Sequence, residues 1–191
     1  MEISLIILIS YLLGSIPFGF LLTKIILKKD IREIGSGNIG ATNVLRTGNK
    51  IIGYSTLILD ILKAVIPILF IKIQFPEFIF ISSLAVFLGH VFPIWLKFNG
   101  GKGVATYVGI LFCINYILGF FFIATWLVVF FISKYSSLSS LLASLIIPIY
   151  CLFIDTENYY FFIIMFILIF YTHRENIKRL KNNTESKTKI Y

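Results

Sequence analysis

Long apolar stretches broken by short polar ones set the pattern of this chain. The apolar runs cover roughly residues 3–23, 51–71, 78–96, 104–133, 138–154 and 158–172. A helix needs about 20 apolar residues to cross a bilayer, within a range of about 17–25, so most of these runs read as single spans. The run 104–133 is longer and reads as two short helices meeting near Asn115–Tyr116. Charge placement supports that division. With seven spans and the N-terminus outside, fifteen of the seventeen Lys and Arg residues fall on the cytoplasmic side. With six, the first polar loop and the C-terminal tail fall on opposite sides, against the positive-inside bias.

The pattern therefore predicts an all-α integral membrane protein with seven transmembrane helices, the N-terminus outside and the C-terminus cytoplasmic. Residues 1–191 form one membrane-embedded domain, with 173–191 as a cytoplasmic tail. That tail is expected to be a short interfacial helix followed by a frayed end. Pro67, Pro93 and Pro148 fall within spans, as kinks whose freed carbonyls neighbouring helices satisfy. Glu2 stands where a leader peptide is basic, and no small-residue cleavage site follows, so the first run reads as a span.

Composition agrees. The chain is 58% hydrophobic and 14% charged, with a mean hydropathy of +0.93, whereas soluble domains carry about 25% charge. The net charge of +8 does not point to nucleic acid, because the basic residues are dispersed between spans. Cys113 and Cys151 lie singly in apolar runs and read as small core residues. No cluster has metal-ligand spacing, so neither metal nor cofactor is expected.

Against this background the stretch GSGNIGATNVLRTGNK (Gly35–Lys50) is unusual. It has four glycines, three asparagines, Arg46 and Lys50, and no carboxylate. Glycines let backbone amides approach an anion, Arg offers a fork that fits phosphate and Lys a point charge. The stretch reads as a phosphate cradle, or more plainly as a connector whose charges set topology. Residues 98–106 and 172–185 are also polar and basic, and in this topology all three segments share the cytoplasmic side. Together they suggest one site.

Two familiar motifs fail on context. GSGNIG fits G-x-G-x-x-G and Asp60 lies 20 residues past Gly40, but a dinucleotide site needs a preceding strand, and here a span precedes it. FNGGKGVAT has Gly-Lys, but Gly103 replaces the Ser or Thr of a P-loop. Lys102 still suits an anion at the start of the span near Val104, where the helix dipole is positive. His173 and Asn176 share one helical face. Within the spans, Asp60 and Lys63 are spaced to neutralise each other, and His90 reads as a hydrogen-bonded structural histidine.

GSIPFGFLL (14–22), GSGNIGATNVLR (35–46), GHVFPIWLKFNGGKGVAT (89–106) and THRENIKRL (172–180) together resemble the PlsY family, bacterial acyl-phosphate:glycerol-3-phosphate acyltransferases, nearly end to end. The resemblance implies transfer of a fatty acyl group from acyl phosphate to the sn-1 hydroxyl of glycerol 3-phosphate, releasing phosphate. The H-x-x-x-x-D motif of other acyltransferases is absent, since Trp95 follows His90 and Lys178 follows His173 at that spacing. Carried over residue by residue, Ser36, Arg46 and Lys102 would grip the phosphates, and His173 and Asn176 would complete the pocket. Gly37, Asn38, Gly40, Thr42, Asn43, Gly100, Gly101 and Gly103 would bind substrate, the amides around Gly37–Gly40 and Gly100–Gly103 receiving phosphate or the developing oxyanion. Ser137 and Ser140 are further candidates. The base is either a substrate phosphate oxygen or His173; a covalent acyl-Ser36 is the third route. Asn99, Ala64 and Asn183 depart from the family's usual Lys, Gly and Gly. The partners implied are the two substrates, membrane lipid and a soluble enzyme that makes acyl phosphate. A small transporter for phosphate-bearing metabolites and a lipid-binding scaffold are the rival readings.

Overall fold

The computed structural model describes residues 2–154 and 158–188. The described residues form α-helices and short 3-10 turns, with no strand. They pack as two compact units, Met1–Ile114 and Asn115–Tyr191.

The first unit holds α1 (Glu2–Gly14), α2 (Phe18–Ile26), α3 (Ala41–Leu45), α4 (Lys50–Gln74), α5 (Ile79–Val91) and α6 (Val104–Ile114). The first apolar run is thus two helices rather than one. Pro17, which lacks an N–H, opens α2, and the Ile16 carbonyl left at the break accepts from Lys63 Nζ at 2.8 Å. Helix α4 packs against α1, α2, α3, α5 and α6 and is the unit's centre. Its start is capped by Asn49, whose Oδ1 accepts from Ile52 N at 3.0 Å. Helices α1 and α5 meet at backbone contact: a Cβ on Gly14 would strike Val86, and one on Gly89 would strike the Tyr11 carbonyl. Ser10 and Ser82 share a hydrogen bond of 2.9 Å across the same seam, the small-residue packing common between membrane helices.

Pro67 and Pro148 lie inside helices as expected. Pro93 does not: α5 stops at Val91, and Pro93 opens a 3-10 turn over Ile94–Leu96.

The second unit holds α7 (Tyr116–Ser133), α8 (Ser136–Ile154), α9 (Tyr159–Thr172) and α10 (Arg174–Lys181). The run 104–133 divides at Asn115, whose Oδ1 accepts from Ile117 N at 2.9 Å and caps α7. Helix α8 packs on both α7 and α9. The tail departs from expectation. It turns back at Asn183, which adopts φ 54°, the left-handed conformation that Asn tolerates better than most residues. Thr188 N then donates to the Lys134 carbonyl at 2.9 Å.

By length and apolar composition, Glu2–Ile26, Pro76–Leu96, Tyr116–Ser133 and Ser136–Phe153 can each cross a membrane, while Val104–Ile114 and Tyr159–Thr172 are apolar but shorter.

Candidate active site

In the first unit a hydrophobic footing fixes the glycine-rich loop. Ile31, Ile39, Val44 and Ile52 are buried together with Leu96. The turn leading to Lys102 therefore stands on the same cluster as the Gly35–Arg46 segment. Asp30 caps the short turn that enters the loop, accepting from Arg32 N at 3.0 Å and pairing with its guanidinium at 2.6 Å. Hydrogen bonding to Arg32 holds the Asp30 carboxyl down at about 2.

Asn43 organises the loop from beneath. Its side chain is 3% exposed. Its Nδ2 donates to the carbonyls of Ile31 (3.2 Å), Ile34 (2.8 Å) and Asn38 (2.8 Å), and its Oδ1 accepts from Ser36 N at 2.9 Å. Gly35 and Gly37 take φ 58° and 70°, conformations costly for other residues. Arg46, at the end of α3, lies over Gly35: a Cβ there would stand 3.0 Å from Arg46 Cδ and 3.3 Å from Nη1. Ser36 and Arg46 are exposed, while Asn38, Gly40 and Thr42 are half-buried.

The second segment leaves α5 through Lys97 and Phe98, both left-handed at φ 51° and 61°. It then doubles back onto the end of that helix. Gly100 N donates to the Val91 carbonyl at 3.0 Å and Gly101 N to the His90 carbonyl at 3.1 Å. These bonds satisfy two of the carbonyls a helix C-terminus leaves unpaired. Lys102, half-buried, precedes α6 directly, and Gly103 packs on Phe87 with φ 85°.

The loop amides thus have another use than the one expected. Those of Ser36, Gly37 and Gly40 donate to Asn43 Oδ1, the Ile34 carbonyl and Asn38 Oδ1, and those of Gly100 and Gly101 to α5. The amides of the candidate anion donors Gly37, Gly40, Gly100 and Gly101, and that of Ser36 beside them, are thus engaged within the chain.

Beneath Gly101 lies a buried polar group. Asp60 Oδ1 is 2.8 Å from Lys63 Nζ and 3.7 Å from His90 Nδ1, all with side chains 2–3% exposed. The expected Asp60–Lys63 pair is present. His90 Nδ1, by contrast, makes no hydrogen bond.

In the second unit His173 is 2% and Asn176 4% exposed. His173 Nδ1 lies 2.8 Å from the Ile169 carbonyl. A carbonyl can only accept, so Nδ1 carries the proton and Nε2 of the neutral ring is the acceptor. Asn176 Nδ2 donates to Glu185 Oε1 at 2.6 Å, and Ser137 Oγ donates to the same oxygen at 2.7 Å. Arg179 Nε reaches Oε2 at 2.7 Å. Asn176 Oδ1 is buried without a hydrogen-bond donor. Ser140 instead bonds within its own helix and to Trp126 Nε1 at 3.0 Å.

Sequence reasoning missed Glu185. A carboxylate looked out of place beside an anionic substrate, yet this one gathers Ser137 and Asn176. Burial raises its pKa, but the three hydrogen bonds prevail and hold it below the ordinary value. The available signal was an acid in a strongly basic tail, close after the helix that carries Asn176.

Residues 4–183 match the glycerol-3-phosphate acyltransferase family. Over 191 residues the chain is 70% identical to the glycerol-3-phosphate acyltransferase of Pelagibacter ubique (strain HTCC1062), with 100% of both chains covered. It is 51% identical over 190 residues to that of Bartonella henselae, covering 96% of this chain and 90% of the relative. Among solved structures it resembles PlsY (YgiH), an integral membrane glycerol 3-phosphate acyltransferase. Against the glycerol 3-phosphate form the TM-score is 0.91 at 35% identity, covering 98% of this chain and 96% of the other. Against the lysophosphatidic acid form it is 0.88, covering 98% and 95%. The chain belongs to the glycerol-3-phosphate acyltransferase family.

Proposed function

We propose that this chain transfers a fatty acyl group from acyl phosphate to the sn-1 hydroxyl of glycerol 3-phosphate. The products are 1-acylglycerol 3-phosphate and inorganic phosphate, the first acylation of phospholipid synthesis. One observation carries the reading: nearly the whole chain shares its fold with the glycerol 3-phosphate form of PlsY. The acid-free loop bearing Ser36 and Arg46 suits a dianionic substrate.

Chemically, the hydroxyl oxygen attacks the acyl carbonyl carbon and the bond from that carbon to the phosphate oxygen breaks. Phosphate leaves with the electron pair, and the hydroxyl proton passes to a phosphate oxygen of the substrate. Ser36, Arg46 and Lys102 hold phosphate, with Gly103 and the dipole of α6 behind Lys102. His173 Nε2 accepts a hydrogen bond from the acceptor substrate, and Asn176 Oδ1 accepts another. His173→Gln is expected to retain most activity; a deep loss would make His173 the base. Asn38, Thr42 and Asn43 shape the first loop, and Ser137 belongs with Asn176. Positioning of bound reactants contributes up to about 7–11 kcal/mol and one oxyanion donor about 3 kcal/mol. No metal or cofactor is required by this chemistry.

The chain is placed in the bacterial inner membrane as a seven-span protein with its N-terminus outside and the site at the cytoplasmic face. Donor chain and product tail lie in the lipid, and a soluble enzyme supplies the acyl phosphate. The test uses purified protein in a lipid mimic with labelled glycerol 3-phosphate and no added metal. Palmitoyl phosphate is expected to support transfer, palmitoyl-CoA not, and Lys102→Ala to abolish it. No transfer from either donor by folded protein would overturn the enzyme reading; transfer from the CoA donor alone would overturn the donor.

A further inference from the structure

Gly101 has two possible reasons to be glycine, and the structure separates them. A phosphate loop uses glycine so that substrate can come close. Here, however, the space a Cβ would fill is occupied from inside the protein. That atom would strike His90 Nε2, and would stand 2.6 Å from Cε1 and 3.1 Å from Cδ2. The ring cannot easily withdraw. His90 is 3% exposed, and its opposite edge faces Asp60, whose carboxylate is fixed by Lys63. Lys63 in turn is tied to the Ile16 carbonyl. The loop cannot easily lift either, because Gly101 N is bonded to the carbonyl of His90 itself and Gly100 N to that of Val91. Thr106 Oγ1, on the first turn of α6, donates to the Asp60 carbonyl at 3.3 Å.

We propose that His90 is a positioning residue: its imidazole, braced by Asp60, sets the height of the Gly100–Gly103 loop and thereby the reach of Lys102. Gly101 lacks a side chain to seat that ring, not to admit substrate. The proposal rests on the acyltransferase reading for its kinetic consequence and on packing alone for its structural one.

The two reasons predict opposite outcomes for a double variant. If the ring fills the space, Gly101→Ala pushes the loop outward, and shortening His90 restores room. If substrate fills it, the added methyl obstructs binding whatever stands at position 90. Gly101→Ala, His90→Ala and the double variant are purified in a lipid mimic, with His90→Ser as the second small side chain should His90→Ala not fold. The KM for glycerol 3-phosphate, the KM for palmitoyl phosphate and kcat are measured for each, with unfolding temperature alongside.

Gly101→Ala is expected to raise the KM of one substrate, the one whose phosphate Lys102 holds, by about tenfold, a coupling usual for side chains in contact. The double variant should recover most of that loss. A double variant no better than Gly101→Ala would overturn the proposal, as would equal changes in both KM values. If the wild-type protein transfers no acyl group, the functional reading fails by itself. The seating of His90 is then decided by unfolding temperature: recovery in the double variant upholds it and an additive loss removes it.

Discussion

Replacing Lys63 by Met tests how α4 carries a charge pair through an apolar unit. The Lys63 and Asp60 side chains are 2% and 3% exposed and 2.8 Å apart. Breaking a buried pair by removing one partner costs about 3–5 kcal/mol, because the other charge is left uncompensated, whereas replacing both with apolar residues is about neutral. Lys63 also donates to the Ile16 carbonyl, which keeps a second bond from Phe18 N at 3.1 Å, so losing the Lys63 bond costs about 0.5–1.5 kcal/mol. Lys63→Met should therefore lose about 3.5–6.5 kcal/mol. The double variant Asp60→Leu/Lys63→Met removes the stranded charge but does not restore the lost bond to Ile16, so its loss should fall to about 0.5–1.5 kcal/mol. For a chain of this size 1 kcal/mol corresponds to about 2–4 °C in Tm. Unfolding can be followed in detergent with a thiol-reactive dye, since Cys113 and Cys151 are both buried thiols outside any disulfide. A double variant melting as low as Lys63→Met would refute the reasoning, and so would a single variant within about 2 °C of wild type.

The other predictions concern the two loops and the tail. Asn43→Asp keeps the acceptor for Ser36 N but sets a carboxylate against three carbonyls, so it should lose more activity and more protease resistance over residues 30–50 than Asn43→Ala. Arg46→Lys keeps the charge but loses the planar fork, and should lower kcat/KM about tenfold in a steady-state assay, whereas a lipid-binding scaffold would tolerate it. Glu185 has a folded-state pKa below its ordinary 4.5. Its stabilising contribution is complete above that ordinary value and is lost as pH falls through the lower folded-state value. Tm should hold steady from about pH 8 to about pH 5 and fall below about pH 4.5. Glu185→Gln should melt lower at neutral pH and lose part of that acid limb; an identical limb in both proteins would remove Glu185 from the account.

The apolar runs were legible because length and periodicity state them directly. Asn115 could be placed as the point of division because an asparagine in so long a run is costly unless it caps a helix. The pair Asp60–Lys63 was legible from its i,i+3 spacing. The break at Pro17 was not, since the run around it stays apolar and the bonds from Lys63 and Phe18 N that satisfy the Ile16 carbonyl form only in the folded chain. Nor could the sequence say where the loop amides point. Glycine allows close approach to a ligand and to the protein's own carbonyls alike, and at Gly100 and Gly101 the partner is α5. Asn43 read as a ligand contact because asparagine serves both roles equally well. Glu185 escaped notice because Ser137 is distant in sequence and only the turn at Asn183 folds the tail back so that one carboxylate meets both Ser137 and Asn176.

Helix α6 has 11 residues and so rises only about 16 Å, roughly half the ~30 Å hydrocarbon thickness. In the seven-span arrangement the rest of that crossing falls to non-helical chain, including the segment that holds Lys102. Backbone at such depth finds no water and has to be satisfied by protein, which gives the bonds from Gly100 and Gly101 to α5 a second reason to exist. Under the proposed arrangement acyl transfer would also lie below the headgroup plane. The donor would then not have to lift its chain out of the leaflet, and the product would leave sideways into it. Turnover should then depend on how thick the surrounding bilayer is, because thickness sets how far glycerol 3-phosphate must descend to react.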